Sequence, residues 1–216
     1  MDEAVKYYEK DEVNFVPDDL KAYLDEHYLK KLKNLSATNP KLLVIFAGAN
    51  AAGKSTISEK ISKELHGLVL RNDIVREMVI KQYPGLERVD RNHYIWGYHM
   101  SVYERLDQIT KNGLVVRDAV SSWYPERILP VFTERGYAVF IIAFDVSREK
   151  YIEIMRKRGD TPVITVERQI EMLDEHLEHL QKFLSLYTPD ITLHDDNMFD
   201  HDTVIAAIKA RLDSLR

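Results

Sequence analysis

The chain has 216 residues, 45% of them hydrophobic and 30% charged, the balance of a globular protein with enough apolar material for a sizeable core. With 30 basic residues against 35 acidic ones, the formal net charge of -5 excludes a wholesale electrostatic grip on nucleic acid and leaves room only for a local basic site. The absence of cysteine rules out disulfides, thiolate zinc sites and cysteine nucleophiles.

Residues 1–40 read as a helical extension. Pro17-Asp18-Asp19 is a helix start, with Leu20, Leu24 and Tyr28 on its inner face. The opening Met1-Asp2-Glu3-Ala4 lacks the basic and apolar parts of a signal peptide, and no apolar run has the length of a membrane span. The expectation is a cytoplasmic protein without membrane contact. Asn39-Pro40 breaks the chain before an apolar run, Lys41 to Ala47, that favours a strand.

The stretch Gly48-Ala49-Asn50-Ala51-Ala52-Gly53-Lys54-Ser55 fits the phosphate-binding pattern G-x-x-x-x-G-K-[ST]. Behind it, Ile57, Ile61 and Leu65 share one helical face. Strand, glycine loop and helix in that order let backbone N–H groups wrap a polyphosphate at a helix N-terminus. ATP is the expected ligand, bound by Gly48, Asn50, Ala51, Ala52, Gly53, Lys54, Ser55 and Thr56. Lys54 is expected to bridge the β- and γ-phosphates, Ser55 to ligate Mg²⁺ through its hydroxyl, and Thr56 to lie near the α-phosphate.

Four more short apolar runs follow, at Gly67–Leu70, Gly113–Val116, Gly136–Phe144 and Asp190–Leu193. Three of them open on a glycine that is expected to end the preceding helix. Strands alternating with helices predict an α/β fold, a five-stranded parallel sheet flanked by helices. Its chemistry is expected at the carboxyl ends of the strands.

Those ends carry charge. The second gives Arg71-Asn72-Asp73 and, one turn on, Arg76. Asp73 is either a base for an acceptor hydroxyl or a cap for a helix starting at Ile74, and Arg76 either neutralises an anionic substrate or is a solvated helix charge. Asp118, after the third run, serves either the water shell of Mg²⁺ or the acceptor, and Pro125 places the next helix start later. Arg156-Lys157-Arg158 before Gly159 either complement a helix C-terminus or form a lid over ATP. Lys81 to Asn112 carries Tyr83, Tyr94, Trp96, Tyr98, His99 and Tyr103 and is expected to build the acceptor pocket, with Tyr98 among its contacts. Val166, Ile170, Leu173, Leu177, Leu180 and Leu184 predict one core-facing stripe, with a dimer seam as the lesser reading, and His176 and His179 lie on a solvated face or, as the lesser reading, at a metal site. His194-Asp195-Asp196 is expected to be a turn capping the final helix, with a place at the border of the adenine as the lesser reading.

Taken together, the loop and Arg71-Asn72-Asp73-Ile74-Val75-Arg76 resemble the P-loop kinases that include the zeta toxins, the phage polynucleotide 5′-hydroxyl kinases and chloramphenicol phosphotransferase. The resemblance implies a P-loop NTPase fold with a helical lid, and Asp73 as general base. Leu114 to Asp118 is similar to the family's third-strand segment, whose acidic residue serves the acceptor. Phe144 to Gly159 looks like the approach to the lid, with Arg158 matching a phosphate-binding arginine. Ile154 stands where polynucleotide kinases carry a second lid arginine, so Arg156 would have to substitute.

The preceding helices and Tyr83-Pro84 look more like the zeta toxins, which phosphorylate the 3′-hydroxyl of UDP-N-acetylglucosamine. Arg117-Asp118-Ala119 departs from their glutamate-glycine-threonine run. The expectation is a single kinase domain over residues 1–216, with an acceptor insertion at about 81–112 and a lid at about 155–168. It would use ATP and Mg²⁺ to phosphorylate a hydroxyl of a small molecule or nucleotide sugar. A polynucleotide or nucleoside 5′-hydroxyl kinase and a non-catalytic ATP-binding switch are the other readings, and a nucleic-acid acceptor is disfavoured by the acidic balance. An antitoxin-like inhibitor over the ATP site would accompany a toxin, and no residue of the chain announces one.

Overall fold

The computed structural model describes residues 16–32, 38–161 and 164–216. The first part of the expected extension and residues 162–163 of the expected lid lie outside them. The chain divides into two compact units, Met1–Ser36 with Arg71–Lys111 and Ala37–Leu70 with Asn112–Arg216.

The second unit is a five-stranded parallel sheet in the order β2-β3-β1-β4-β5. The strands are β1 (Leu42–Ala47), β2 (Leu68–Arg71), β3 (Leu114–Val120), β4 (Ala138–Phe144) and β5 (Ile191–Leu193). β1 is central, with Leu42 opposite both Leu114 and Ala138. A parallel strand covered on both faces has no polar side, and all six β1 residues are buried. Leu42, Val44 and Phe46 join Val116, Ile142 and Phe144 on one face of the sheet. Ile57 and Ile61 of α2 (Lys54–Leu65) and Val204, Ile208 and Leu212 of α10 (His201–Ser214) belong to the same apolar cluster. Each such side chain contributes about 1.5–3 kcal/mol by leaving water.

Three details differ from the sequence expectation. β3 runs on to Val120, so Asp118 lies inside the strand. The register passes from Val44↔Val116 to Phe46↔Val120, setting Arg117, Asp118 and Ala119 against Ile45 alone. A bulge of this kind re-aims side chains. Of the three strand-opening glycines, only Gly136 has a positive φ, 78°. α2 ends instead on His66 at φ 57°, while Gly113 is required by space, since a Cβ there would stand 2.5 Å from the carbonyl oxygens of Asn39 and Pro40.

The remaining helices of this unit are α6 (Pro125–Thr133), α7 (Arg148–Arg158), α8 (Val166–Glu171) and α9 (Leu173–Leu186). Pro125 opens α6, where its missing N–H costs nothing. The expected single stripe is broken at Met172, and the buried line runs Gln169, Leu173, His176, Leu180 and Phe183. Ile170, Leu177 and Leu184 are only half-buried. Asp195 does not cap the final helix. It accepts from Ser147 N at 2.7 Å, at the start of α7, and Asp200 caps α10 by accepting from Thr203 N.

The first unit is helical. α1 (Asp18–Leu24) follows Pro17 and widens into a π-helical turn, Asp25–Leu29. Leu20, Leu24 and Tyr28 are buried as the pattern predicts. α3 (Asn72–Gln82), α4 (Arg88–Glu104) and α5 (Leu106–Ile109) supply Val75, Val79, Tyr98, Val102, Tyr103 and Leu106 to its interior. Tyr28 and Tyr98 meet edge to face at 6.2 Å. A half-buried polar knot centres on Asp25, which accepts from Tyr98 Oη at 3.0 Å and from both Arg105 Nη atoms at 3.1 and 3.2 Å. Two parallel N–H···O bonds on one carboxylate are the strong form of this pairing. Among the described residues no helix is long and apolar enough to cross a membrane.

Candidate nucleotide-binding site

β1 delivers the chain into the Gly48–Ser55 loop, and α2 carries it away. Gly48 has φ 139°, and a Cβ on it would press within 2.9 Å of Phe144 Cβ and 3.1 Å of Tyr151 Oη. Gly53 has open space around it, the nearest atom to a Cβ being His201 Nε2 at 3.9 Å, but sits at φ 85°. One glycine is demanded by crowding as well as backbone, the other by backbone alone. Ala51 is also left-handed, at φ 64°, a conformation that costs an alanine roughly 1–2 kcal/mol. Left-handed residues interleaved with ordinary ones curve a backbone so that successive N–H groups converge, the geometry of an anion nest.

Ala52 is fully buried and Asn50 half-buried, while Ser55 and Thr56 are exposed. No side chain caps α2 at Gly53, so its first N–H groups remain available to an anion, where the helix dipole adds to the attraction. Lys54 is buried to 8% exposure and donates from Nζ to Ala49 O at 2.5 Å, holding its ammonium over the loop. These features fit a polyphosphate.

Ser55 Oγ donates to Asp118 Oδ1 at 3.2 Å. The β3 bulge thus brings a carboxylate to the residue expected to hold Mg²⁺. Among the described residues no three His, Cys, Asp or Glu side chains gather as a metal site. A hydroxyl and one carboxylate are hard oxygen donors that suit Mg²⁺, an ion that keeps waters and substrate phosphates as its other ligands.

The sequence did not single out the group that braces the loop. Tyr151 of α7 is fully buried, accepts from Ala49 N at 3.2 Å and donates to Phe144 O at 3.0 Å. Burial raises its phenol far above the ordinary value, partly opposed by the Ala49 N–H. Its only trace in the sequence is an aromatic residue seven positions after β4.

Farther along α7, Arg156 and Arg158 are exposed on the last turn, before Gly159 at φ 75°. None of the loop's described hydrogen bonds reaches these arginines. Ile154 packs against the apolar cluster, which is why an arginine would not suit that position.

His176 corrects the expectation of a solvated face. It is 5% exposed, and its Nδ1 accepts from Trp123 Nε1 at 3.3 Å. Burial first, then the positive charge of Lys54 and then His179, lower its pKa to about 4. His179 stacks on Trp123 at 4.6 Å and 18°. Neither Trp123 nor this pairing was legible in the sequence, because the two residues are 53 positions apart.

Asp73, Arg76 and Tyr98 belong to the helical unit. α3 starts at Asn72, so Asp73 falls inside its first turn and caps nothing with its side chain. Asp73 is 71% exposed and accepts from Arg76 Nη1 at 2.5 Å. Arg76 is therefore committed to Asp73 in this structure. Tyr98 is corrected outright: it is fully buried and donates to Asp25, with no surface for an acceptor. Burial, then the Asp25 carboxylate, holds its phenol far above the ordinary value. Tyr103 and His99 are buried beside it, while Tyr83 bonds Asp19 at 2.5 Å and meets Tyr94 edge-on.

Comparison with curated proteins returns no match. Among solved structures, the fold is similar to a candidate kinase of Chloroflexus aurantiacus, with TM-score 0.56 and 16% identity over 83% of this chain and 100% of that one. It is also similar to a chain of the PezAT chromosomal toxin-antitoxin system of Streptococcus pneumoniae, with TM-score 0.55 and 16% identity over 79% and 72%. Shikimate kinase of Bacteroides thetaiotaomicron aligns with TM-score 0.54 and 14% identity over 80% and 98%. At such identities the likeness establishes the fold. The family model described as an AAA domain matches residues 43–184, from β1 to the last turns of α9. With its glycine loop, buried lysine and 2-3-1-4-5 sheet, the chain belongs to the AAA domain family and has the P-loop NTPase fold, a nucleotide-binding architecture.

Proposed function

We propose that the protein is an ATP- and Mg²⁺-dependent kinase that transfers the γ-phosphate to a hydroxyl of a small molecule or nucleotide sugar. The observation that carries this reading is the pairing of Ser55 with Asp118 beside the buried Lys54. A loop, a lysine, a hydroxyl and a carboxylate are the parts a phosphoryl-transfer site needs on the nucleotide side. The kinases among the fold relatives lend it the reaction class.

In this scheme Lys54 and the loop amides hold the phosphates and offset charge as it develops on the transferring group. Ser55, with Asp118 beside it, would hold Mg²⁺, which would supply neutralisation of phosphate charge. Asp73 takes the proton of the acceptor hydroxyl. Arg76, bonded to Asp73 in this structure, becomes available to an anionic acceptor when that pair opens. Arg158, with Arg156 in place of the arginine absent at Ile154, closes over the γ-phosphate from the end of α7. Gly159 supplies the backbone freedom for that movement.

The test is a transfer screen with γ-labelled ATP against nucleotide sugars, nucleosides, oligonucleotides and small hydroxylated compounds including antibiotics. Label on a nucleotide sugar or small molecule supports the proposal. Label on oligonucleotide 5′ ends alone moves the protein to a nucleic-acid end kinase. ATP hydrolysis indifferent to every acceptor makes it a switch.

A further inference from the structure

A neutral histidine carries one ring proton, and the structure says which nitrogen of His176 has it. The Trp123 indole N–H is only a donor. Its bond to His176 Nδ1 therefore needs a lone pair there, and the proton resides on Nε2. That atom is buried, and no described residue accepts from it. A buried donor without an acceptor is costly, and native proteins seldom keep one idle.

The ring is also held in place. Its N–H partner Trp123 stacks on His179 and lies tilted over His176 at 5.0 Å. Trp123 follows Ser121, whose N–H bonds Phe46 O at 2.8 Å and whose Oγ accepts from Arg117 Nη1 at 2.8 Å. Phe46 is the last residue but one of the strand that feeds the glycine loop. The indole is thus fixed to the carboxyl end of the sheet, where the loop begins. The charge of Lys54 acts on the same imidazole. The unpartnered Nε2–H thus lies within the field of the lysine that the loop holds, and an oxygen of a bound phosphate is an acceptor able to complete it.

We propose that His176 Nε2–H donates directly to an oxygen of the outermost phosphate of the bound triphosphate, so that a side chain outside the loop distinguishes ATP from ADP. The inference rests on the nucleotide reading given under Proposed function and deepens it. Protonation is not required, since the neutral ring already presents the donor, and the hydrogen bond forms without any covalent change.

The experiment is calorimetric titration of the full chain with Mg²⁺ and either ADP or a non-hydrolysable ATP analogue. His176→Asn retains a group able to accept from Trp123 but has nothing at the Nε2 position. His176→Gln returns an amide N–H there. The expected result is a loss of roughly tenfold or more for the ATP analogue in His176→Asn, the scale of a hydrogen bond to a charged group. ADP affinity should change less than about twofold, and His176→Gln should restore most of the loss. Equal losses for both nucleotides, no loss, or no restoration by glutamine would each overturn the proposal. Nitrogen-15 spectra of the histidines give a second reading that does not depend on a variant folding. The Nε2-protonated tautomer is expected, with its proton shifting when the analogue binds, and an Nδ1-protonated ring would refute the assignment. Wild-type protein that binds no nucleotide defeats the parent reading as well; wild type and His176→Asn binding alike defeat only this one.

Discussion

The Asp25 cluster of the helical unit and the surroundings of the glycine loop in the α/β unit treat their polar groups in opposite ways. In that half-buried cluster the side chains neutralise one another: Asp25 is met by Tyr98 and by both guanidinium nitrogens of Arg105. In the α/β unit, the polar groups around the loop are left incomplete. The first N–H groups of α2 have no side-chain cap, and His176 Nε2 has no described acceptor. Satisfied polar clusters add rigidity. Unsatisfied ones beside a glycine loop mark a place where something else completes the bonding. Burial alone does not separate the two cases, because Tyr98 and His176 are both buried.

The contrast predicts where substitutions act. Lys54→Ala should have the largest effect, lowering phosphoryl transfer by about a thousandfold or more while leaving the helical unit folded. Single-turnover assays with circular dichroism check both halves, and retained turnover would remove the loop from catalysis. Asp73→Asn should keep ATP affinity within about twofold and lower transfer by about 10²–10⁴, the usual contribution of a positioned base. Calorimetry beside kcat decides it, and unchanged turnover would take Asp73 out of the mechanism.

His176 predicts a pH effect on stability. Its folded pKa is lowered from 6.5 to about 4, so between those values the unfolded chain binds more protons. The contribution is present in full above the unfolded value and is lost as pH falls from about 6.5 towards 4, by up to roughly 3 kcal/mol. Urea midpoints at several pH values should fall less steeply in His176→Asn than in wild type, and parallel curves would contradict the burial of a neutral ring. Tyr98→Phe should show the smallest effect, about 1 kcal/mol in urea unfolding with no change in KM for any acceptor. A raised KM would return Tyr98 to the acceptor site.

How much of this was legible in the sequence follows from the range of each interaction. The strand order of events around Gly48–Ser55 is local, so spacing alone predicted loop, helix and the inward Ile57 and Ile61. Pro17 and Pro125 likewise marked helix starts through their fixed φ. β3 was read too short because Arg117 and Asp118 interrupt the apolar run, and only the bulge against Ile45 makes room for them in a strand. Tyr98 of α4 was read as an acceptor contact, yet helical spacing cannot distinguish an inward Tyr98 from an exposed one when its partner Asp25 is 73 residues away. Gln169 and His176 take core positions in α8 and α9 that pattern reading assigns to leucines, since the register shifts at Met172. Whatever depended on contacts between distant segments, the Trp123–His176 pair and the Tyr151 brace included, lay beyond pattern alone.

The Tyr151 hydroxyl has a consequence for how a nucleotide would be received. By joining Ala49 to Phe144 it fastens the cradle to the framework before any guest arrives, and a phenylalanine there would strand one amide and deprive one carbonyl. Since burial keeps that phenol from ionising in the neutral range, the fastening is indifferent to ordinary changes of acidity. Little ordering then remains to be done on association, so more of the attraction between loop and phosphate is expressed as affinity.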